Sequence, residues 1–169
     1  CISDARPAAI DINMGCPVGK IFSNGEGSAL MKNPDLIYRI TKALAEATPL
    51  PVTVKMRLGV DKGSINVLEC AKSAEEGGAK AICIHGRTRT QMYGGEASYE
   101  EIKAAKNMLK IPVIANGDIT SAEAAKRVLE YTGADGIAIG RGAVGNPFIF
   151  REIVSSLEGN IYEPPTLDE

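Results

Sequence analysis

The sequence lacks the features that mark secreted, membrane-spanning and zinc-binding proteins. Its four cysteines include no Cys-x-x-Cys pair, and together with a single histidine they leave no set of zinc ligands. No apolar run is long enough to span a bilayer, and none has the form of a secretory leader. Because free thiols without a disulfide framework are typical of a reducing compartment, the sequence predicts a cytoplasmic protein.

A strong net charge is also missing. The formal charge is −2 at pH 7, with 44% hydrophobic and 24% charged residues, which is ordinary for a globular domain. This balance excludes a generally basic surface, so any contact with RNA would need a local basic patch. The 169-residue chain begins with Cys1 rather than Met, and we expect it to be part of a longer protein.

Five short apolar runs are present, and a glycine-containing turn and a helical pattern follow each. They predict strands at 8–13, 51–57, 80–85, 111–116 and 136–140. Nearly continuous apolar runs of this kind are typical of parallel strands that are buried on both faces. Five βα units without a hairpin predict an α/β domain, either an open doubly wound sheet or part of a closed barrel. A full eight-unit barrel takes about 250 residues, so the length favours a partial TIM (β/α)8 barrel.

Four helix starts are marked by local sequence signals. The signals are the capping-box pairs Ser98 with Glu101 and Thr120 with Glu123, and the Asn-Pro steps at 33–34 and 146–147. The segment 161–169 contains a Pro-Pro step and is predicted to be a linker.

The stretch around Cys16 is the strongest local signal. Gly15 permits backbone conformations that are closed to other residues, and Pro17 cannot continue a sheet ladder. The thiol of Cys16 is therefore predicted to lie on a turn just past a strand, at the barrel face where catalytic groups lie. The alternative is that Cys16 is a small packing residue, as many free cysteines are.

Polar or glycine residues follow all five predicted strands. Parallel strands bring their carboxyl ends to one face, so these segments are expected to surround a common site. Asn116-Gly117-Asp118 and Gly140-Arg141-Gly142 would follow strands 7 and 8 of a barrel, the usual site of a cofactor phosphate. Glycines let backbone N–H groups approach a phosphate, and Arg141 adds charged donors. Lys55 and His85 are predicted to contact another part of the ligand, such as a flavin ring that gains negative charge.

Five segments, in their order and spacing, resemble the tRNA-dihydrouridine synthases, and most closely the bacterial nitrogen-regulation-like barrel branch. They are Asn13-Met14-Gly15-Cys16-Pro17-Val18, Val54-Lys55-Met56-Arg57, His85-Gly86-Arg87-Thr88, Asn116-Gly117-Asp118-Ile119 and Gly140-Arg141-Gly142-Ala143. The resemblance covers nearly the whole chain. It implies that residues 1–160 are about the last five βα units of an FMN-binding TIM barrel, and that 161–169 lead to a missing helical tRNA-binding domain.

The resemblance also implies the reaction and the role of each residue. Specific uridines in tRNA would be reduced to dihydrouridine, with Cys16 as the general acid at C5 and reduced FMN as the hydride donor to C6. NADPH would regenerate the reduced flavin. The implied FMN contacts are Lys55, His85, Asn116, Gly117, Asp118, Gly140 and Arg141, and the implied substrate contacts are Asn13 and Arg87.

Compared with the family pattern, we expect the chain to lack the first three strands and the helical domain. Five strands would leave two sheet edges open to self-association, and we expect little or no activity from this fragment. Two other interpretations stay open. One is a different FMN-barrel oxidoreductase that acts on a free pyrimidine or an enone, and the other is a phosphate-binding or self-associating domain without chemistry.

Overall fold

Strands and helices alternate along the chain, as the apolar runs predict. The computed structural model describes residues 7–164. Its strands are β1 (Ile10–Met14), β2 (Val52–Met56), β3 (Ala81–His85), β4 (Val113–Asn116) and β5 (Gly136–Ala138). All neighbours are parallel, and the order in the sheet is the order in the chain. A doubly wound sheet reverses its strand order at a switch point, so this order identifies part of a TIM barrel.

Within residues 7–164, six α-helices and two short 3₁₀-helices lie between the strands or, in the case of the last helix of each kind, after them. The α-helices are α1 (Gly19–Ser23), α2 (Pro34–Ala47), α3 (Val67–Glu76), α4 (Glu100–Met108), α5 (Ala122–Thr132) and α6 (Ile149–Leu157). The 3₁₀-helices are Gly27–Lys32 and Arg141–Ala143. No helix within residues 7–164 is long and apolar enough to cross a membrane. The predicted linker is described as far as residue 164, without helix or strand, and its remainder lies outside the described residues.

One of the four predicted helix starts is confirmed, since Asn33 caps α2 by accepting a hydrogen bond from Leu36 N–H at 3.0 Å. The other three are displaced. Tyr99 precedes α4 in place of Ser98, and the Ser121 side chain caps α5 in place of Thr120. Ser and Thr have similar capping ability, so packing can favour Ser121 over Thr120, whereas Tyr99 makes no side-chain cap hydrogen bond. The last helix, α6, begins only at Ile149, after a turn.

The sheet buries one face fully and the other only partly. In β2, buried Val52, Val54 and Met56 alternate with half-buried Thr53 and Lys55. The prediction of burial on both faces is therefore wrong for this chain. The fully buried side chains form the core between the sheet and the helices; its central members include Ile37, Val54, Met56, Ile82, Ile84, Ile102, Val113 and Ile153. Within the described residues β1 and β5 have no second neighbour, and self-association through these edges stays a prediction.

Candidate active site

The carboxyl ends of the five strands surround one cavity of about 870 Å³. This volume lies within the usual range of cofactor and ligand sites. Nine of the ten predicted site residues line the cavity: Asn13, Cys16, Lys55, His85, Asn116, Gly117, Asp118, Gly140 and Arg141. The tenth, Arg87, lies beside it. The structure therefore brings together side chains that are distributed over more than a hundred residues of sequence.

The strand register explains why the polar side chains meet. Asn13 pairs with Lys55 across β1 and β2, and His85 pairs with Asn116 across β3 and β4. Directly paired residues point to the same face of a sheet. Asn116 Nδ2 also donates to the carbonyl oxygen of Ala138 at 2.7 Å. The amide of Asn116 is thereby held in a fixed orientation at the cavity.

The Cys16 turn is held from both sides. Asn13 Oδ1 accepts hydrogen bonds from the N–H groups of Gly15 and Cys16, each at 3.0 Å. On the other side, the Cys16 carbonyl oxygen accepts from Ser28, at 2.8 Å from Oγ and 3.1 Å from the backbone N–H. Gly27 has φ +59°, and a Cβ there would lie 2.8 Å from Cys16 Cβ. The half-buried thiol therefore has a defined position, and Asn13 shapes that position. The predicted contact of Asn13 with substrate stays a prediction.

Arg57 connects the Cys16 turn to the segment that follows β3. Its Nε donates to Gly15 O at 2.9 Å, and its Nη1 donates to Thr88 O at 3.0 Å and to Met92 O at 2.8 Å. The side chain lines the cavity although the residue is only 3% exposed, and burial lowers its pKa. Within residues 7–164 it forms no ion pair with a carboxylate. From the sequence, Arg57 is expected only to add positive charge at the rim, as a solvated basic edge or a place for substrate phosphates; its hydrogen bonds to the Cys16 turn and to the segment after β3 are not foreseen.

His85 is a neutral side chain in this site. Burial, followed by the positive charges of Arg57, Lys55 and Arg87, lowers its pKa to about 3. Its Nε2 lies 3.5 Å from Arg87 Nη1, which favours the tautomer in which Nε2 accepts and Nδ1 carries the proton. At pH 7 His85 therefore contributes hydrogen bonds rather than charge.

Arg87 is buried among backbone and acidic groups and does not line the cavity. Its Nε donates to Gly94 O at 3.1 Å, and Nη1 and Nη2 bind the two carboxylate oxygens of Asp118 at 2.8 and 2.7 Å. Nη2 also donates to Gly95 O, and Nη1 faces His85. All five N–H groups of the guanidinium thus have an acceptor. The substrate contact predicted for Arg87 stays a prediction, and this geometry does not support it.

Asp118 joins the two arginines that follow β3 and β5. Partial burial opposes its ionisation, but hydrogen bonds from Arg87 and from Ala97 N–H outweigh burial and keep its pKa below the ordinary value. Arg141 Nη2 lies 3.2 Å from Asp118 Oδ1, and the Arg141 side chain is 58% exposed. Asp118 itself has φ +51°, directly after Gly117 with φ +126°. The carboxylate therefore holds Arg141 at the edge of the cavity.

Comparison with known proteins identifies the family of the chain. Residues 2–169 match the family model described as dihydrouridine synthase (Dus). The chain belongs to this family. It is 53% identical over 161 residues to tRNA-dihydrouridine synthase B of Pasteurella multocida, and 54% identical over 155 residues to the protein of that name from Vibrio vulnificus. These alignments cover 95% and 92% of the chain but 48% of each relative, so the chain spans about half their length.

A solved structure supports the fold of this chain independently of close sequence similarity. The chain resembles a putative phosphonomutase from Burkholderia cenocepacia with a TM-score of 0.57 at 19% identity. The match covers 80% of this chain and 62% of the other. At this identity the likeness concerns the fold alone.

Proposed function

We propose that the protein to which this chain belongs reduces uridines in tRNA to dihydrouridine, in the cytoplasm, with FMN as cofactor and NADPH as reductant. Membership of the dihydrouridine synthase family supports the reaction, and relatives that bear the name tRNA-dihydrouridine synthase B support tRNA as the substrate. The observation that carries the proposal is that Cys16, Lys55, His85 and Arg141 line the same cavity.

The cavity residues fit FMN. The exposed guanidinium of Arg141, between Gly140 and Gly142, suits a phosphate, and no atom lies within 4 Å of a Cβ built at Gly140. Lys55 lines the cavity, and within the described residues its ammonium forms no ion pair; it would offset negative charge on the isoalloxazine. Neutral His85 and Asn116 would add hydrogen bonds. When bound and reduced, FMN supplies the hydride for C6 of uracil.

Cys16 would supply the proton for C5, so that one hydride and one proton saturate the ring. An ordinary thiol is protonated at neutral pH and serves as an acid. Transfer of the proton leaves a thiolate at Cys16 Sγ. Arg57, which interacts electrostatically with Cys16 and is fixed to the same turn, would stabilise that thiolate. The target base must leave its stack to reach the cavity, which costs less in an RNA loop than in a duplex.

The test uses the full-length parent protein with FMN, NADPH and unmodified tRNA, and measures dihydrouridine by mass spectrometry of the digested nucleosides. We expect dihydrouridine in tRNA and no reduction of free uracil. Reduction of a free pyrimidine or an enone with none on tRNA would refute the proposal in favour of the other FMN-barrel chemistry. From the 169-residue chain alone we expect little activity, because β1 and β5 have no second neighbour within the described residues.

A further inference from the structure

The segment after β3, residues 88–95, presents two large apolar side chains at the cavity mouth. Met92 and Tyr93 both line the cavity, yet they are 46% and 55% exposed. Met92 has φ +50°, an unfavourable conformation for a residue with a side chain. Arg57 holds the segment in this conformation by its hydrogen bond to Met92 O. The fold thus maintains an exposed aromatic ring at a fixed place.

Two arginines lie near the Tyr93 ring, which is 55% exposed. The guanidinium carbons of Arg57 and Arg141 are 5.9 and 5.0 Å from its centroid. Among the described residues that line the cavity, Lys55, Arg57 and Arg141 are cations and Asp118 is the one carboxylate. The mouth is therefore positive although the whole chain has a formal charge of −2, and it suits a polyanion.

A second aromatic ring with cationic neighbours lies close to the same segment. Phe22 of α1 has Arg89 Cζ at 4.0 Å and Lys32 Nζ at 4.5 Å from its centroid. Arg89 belongs to the segment that carries Tyr93. Aromatic rings interleaved with cations are the pattern by which proteins bind single-stranded nucleic acid, with stacked bases and neutralised phosphates.

We propose that Tyr93, close to Arg57 and Arg141, is a stacking platform for an unpaired base of single-stranded RNA next to the target uridine. That the uridine beside this base is reduced at the cavity rests on the proposed function. The platform does not read sequence, since every base offers a π-face. Its contribution is to hold the strand beside the cavity while one base enters.

The test measures binding of a fluorescein-labelled RNA stem–loop with a uridine-containing loop by fluorescence anisotropy, using the full-length parent protein. Tyr93→Ala is expected to weaken binding about tenfold, and Tyr93→Phe less than about twofold, because stacking needs the ring and not the hydroxyl. Tyr131→Ala is the matched control. Tyr131 is 41% exposed with Lys103 Nζ at 4.6 Å from its ring, but it lies on α5 and does not line this cavity. Its loss is expected to leave RNA affinity unchanged.

The salt dependence of RNA affinity distinguishes a stacking contact from an electrostatic one. Tyr93→Ala is expected to keep the wild-type slope of log Kd against log salt, whereas Arg141→Gln lowers it. Equal affinity of Tyr93→Ala and wild type, no measurable RNA binding by wild type, or equal affinity for a fully paired duplex would each overturn the proposal. So would a Tyr93→Ala variant that loses FMN affinity but not RNA affinity, since the ring would then belong to the cofactor site. Tyr93-dependent RNA binding with no dihydrouridine formed by the parent would refute only the proposed function.

Discussion

Arg57 Nε donates a hydrogen bond of 2.9 Å to the carbonyl oxygen of Gly15, and this bond fixes the Cys16 turn to the end of β2. The same guanidinium reaches Thr88 and Met92, so one buried cation joins the proposed acid and the proposed RNA platform. Proteins rarely bury an arginine without an anionic partner. A function that uses its charge explains its presence here.

Replacing Arg57 by Met should loosen both segments. The carbonyl oxygens of Gly15, Thr88 and Met92 would lose their donors, and we expect a loss of about 2–3 kcal/mol in the free energy of unfolding. Urea denaturation measures the loss, and hydrogen exchange at the Gly15 and Cys16 amides should accelerate. Lys126→Met is the control, since Lys126 is 58% exposed in a weak ion pair. Unchanged amide exchange in Arg57→Met would contradict the role of Arg57 in holding the turn.

Asp118→Asn should weaken flavin binding as well as stability. Arg87 would keep its backbone acceptors but lose a carboxylate, and Arg141 would lose the group that holds it at the cavity edge. We expect a loss of about 1–3 kcal/mol in the free energy of unfolding and a severalfold weaker affinity for FMN, measured by quenching of flavin fluorescence. Asp135→Asn is the comparison, because Asp135 pairs with Lys106 at the opposite end of the sheet. A variant with wild-type flavin affinity would show that Asp118 does not position Arg141.

Acidification should destabilise the fold through His85, the only histidine in the sequence. Its pKa is about 3 in the folded chain against an ordinary 6.5, so the unfolded chain binds more protons between these values. The stability that neutral His85 contributes is complete above pH 6.5 and is lost as the pH falls toward 3. Between pH 6.5 and 5 we expect a loss of about 1–2 kcal/mol, measured by urea denaturation. His85→Gln should remove most of this pH dependence of the free energy of unfolding. An equally steep pH dependence in that variant would show that other groups cause it.

Gly27→Ala should disturb the Cys16 turn more than Gly25→Ala does. Both glycines have left-handed φ, +59° and +82°, so both variants incur backbone strain of about 1–2 kcal/mol. A Cβ at Gly27 would also lie 2.8 Å from Cys16 Cβ, whereas a Cβ at Gly25 meets nothing within 4 Å. We expect faster alkylation of Cys16 by iodoacetamide only in Gly27→Ala, read by peptide mass spectrometry. Equal rates in the two variants would show that the contact does not position the thiol.

The strands and the cavity were predictable from the sequence because their signals are local. Apolar runs followed by glycine and polar residues locate the strand ends, and parallel topology then brings Asn13, Lys55 and His85 together. The helix α1 and the adjoining 3₁₀-helix were missed because elements of five or six residues are too short to show a periodic pattern.

The roles of Arg57 and Arg87 could not be predicted in the same way. Arg57 acts through partners 42 and 35 residues away, and their positions depend on the folded loops. Arg87 follows a strand, as a substrate contact would, but the turn after β3 directs it beside the cavity to Asp118, 31 residues later. Sequence patterns identify which residues reach the end of the barrel, and tertiary contacts decide which of them face the ligand.

The most direct test of Cys16 as the proton donor is the rate of dihydrouridine formation by the full-length protein with and without the Cys16 thiol. Single-turnover reduction of unmodified tRNA by flavin-loaded wild type and Cys16→Ala would be compared by nucleoside mass spectrometry, with FMN affinity measured in parallel. Loss of a general acid predicts a rate at least about a hundredfold lower with FMN affinity unchanged. Equal rates in the two proteins would contradict the assignment of Cys16 as the proton donor.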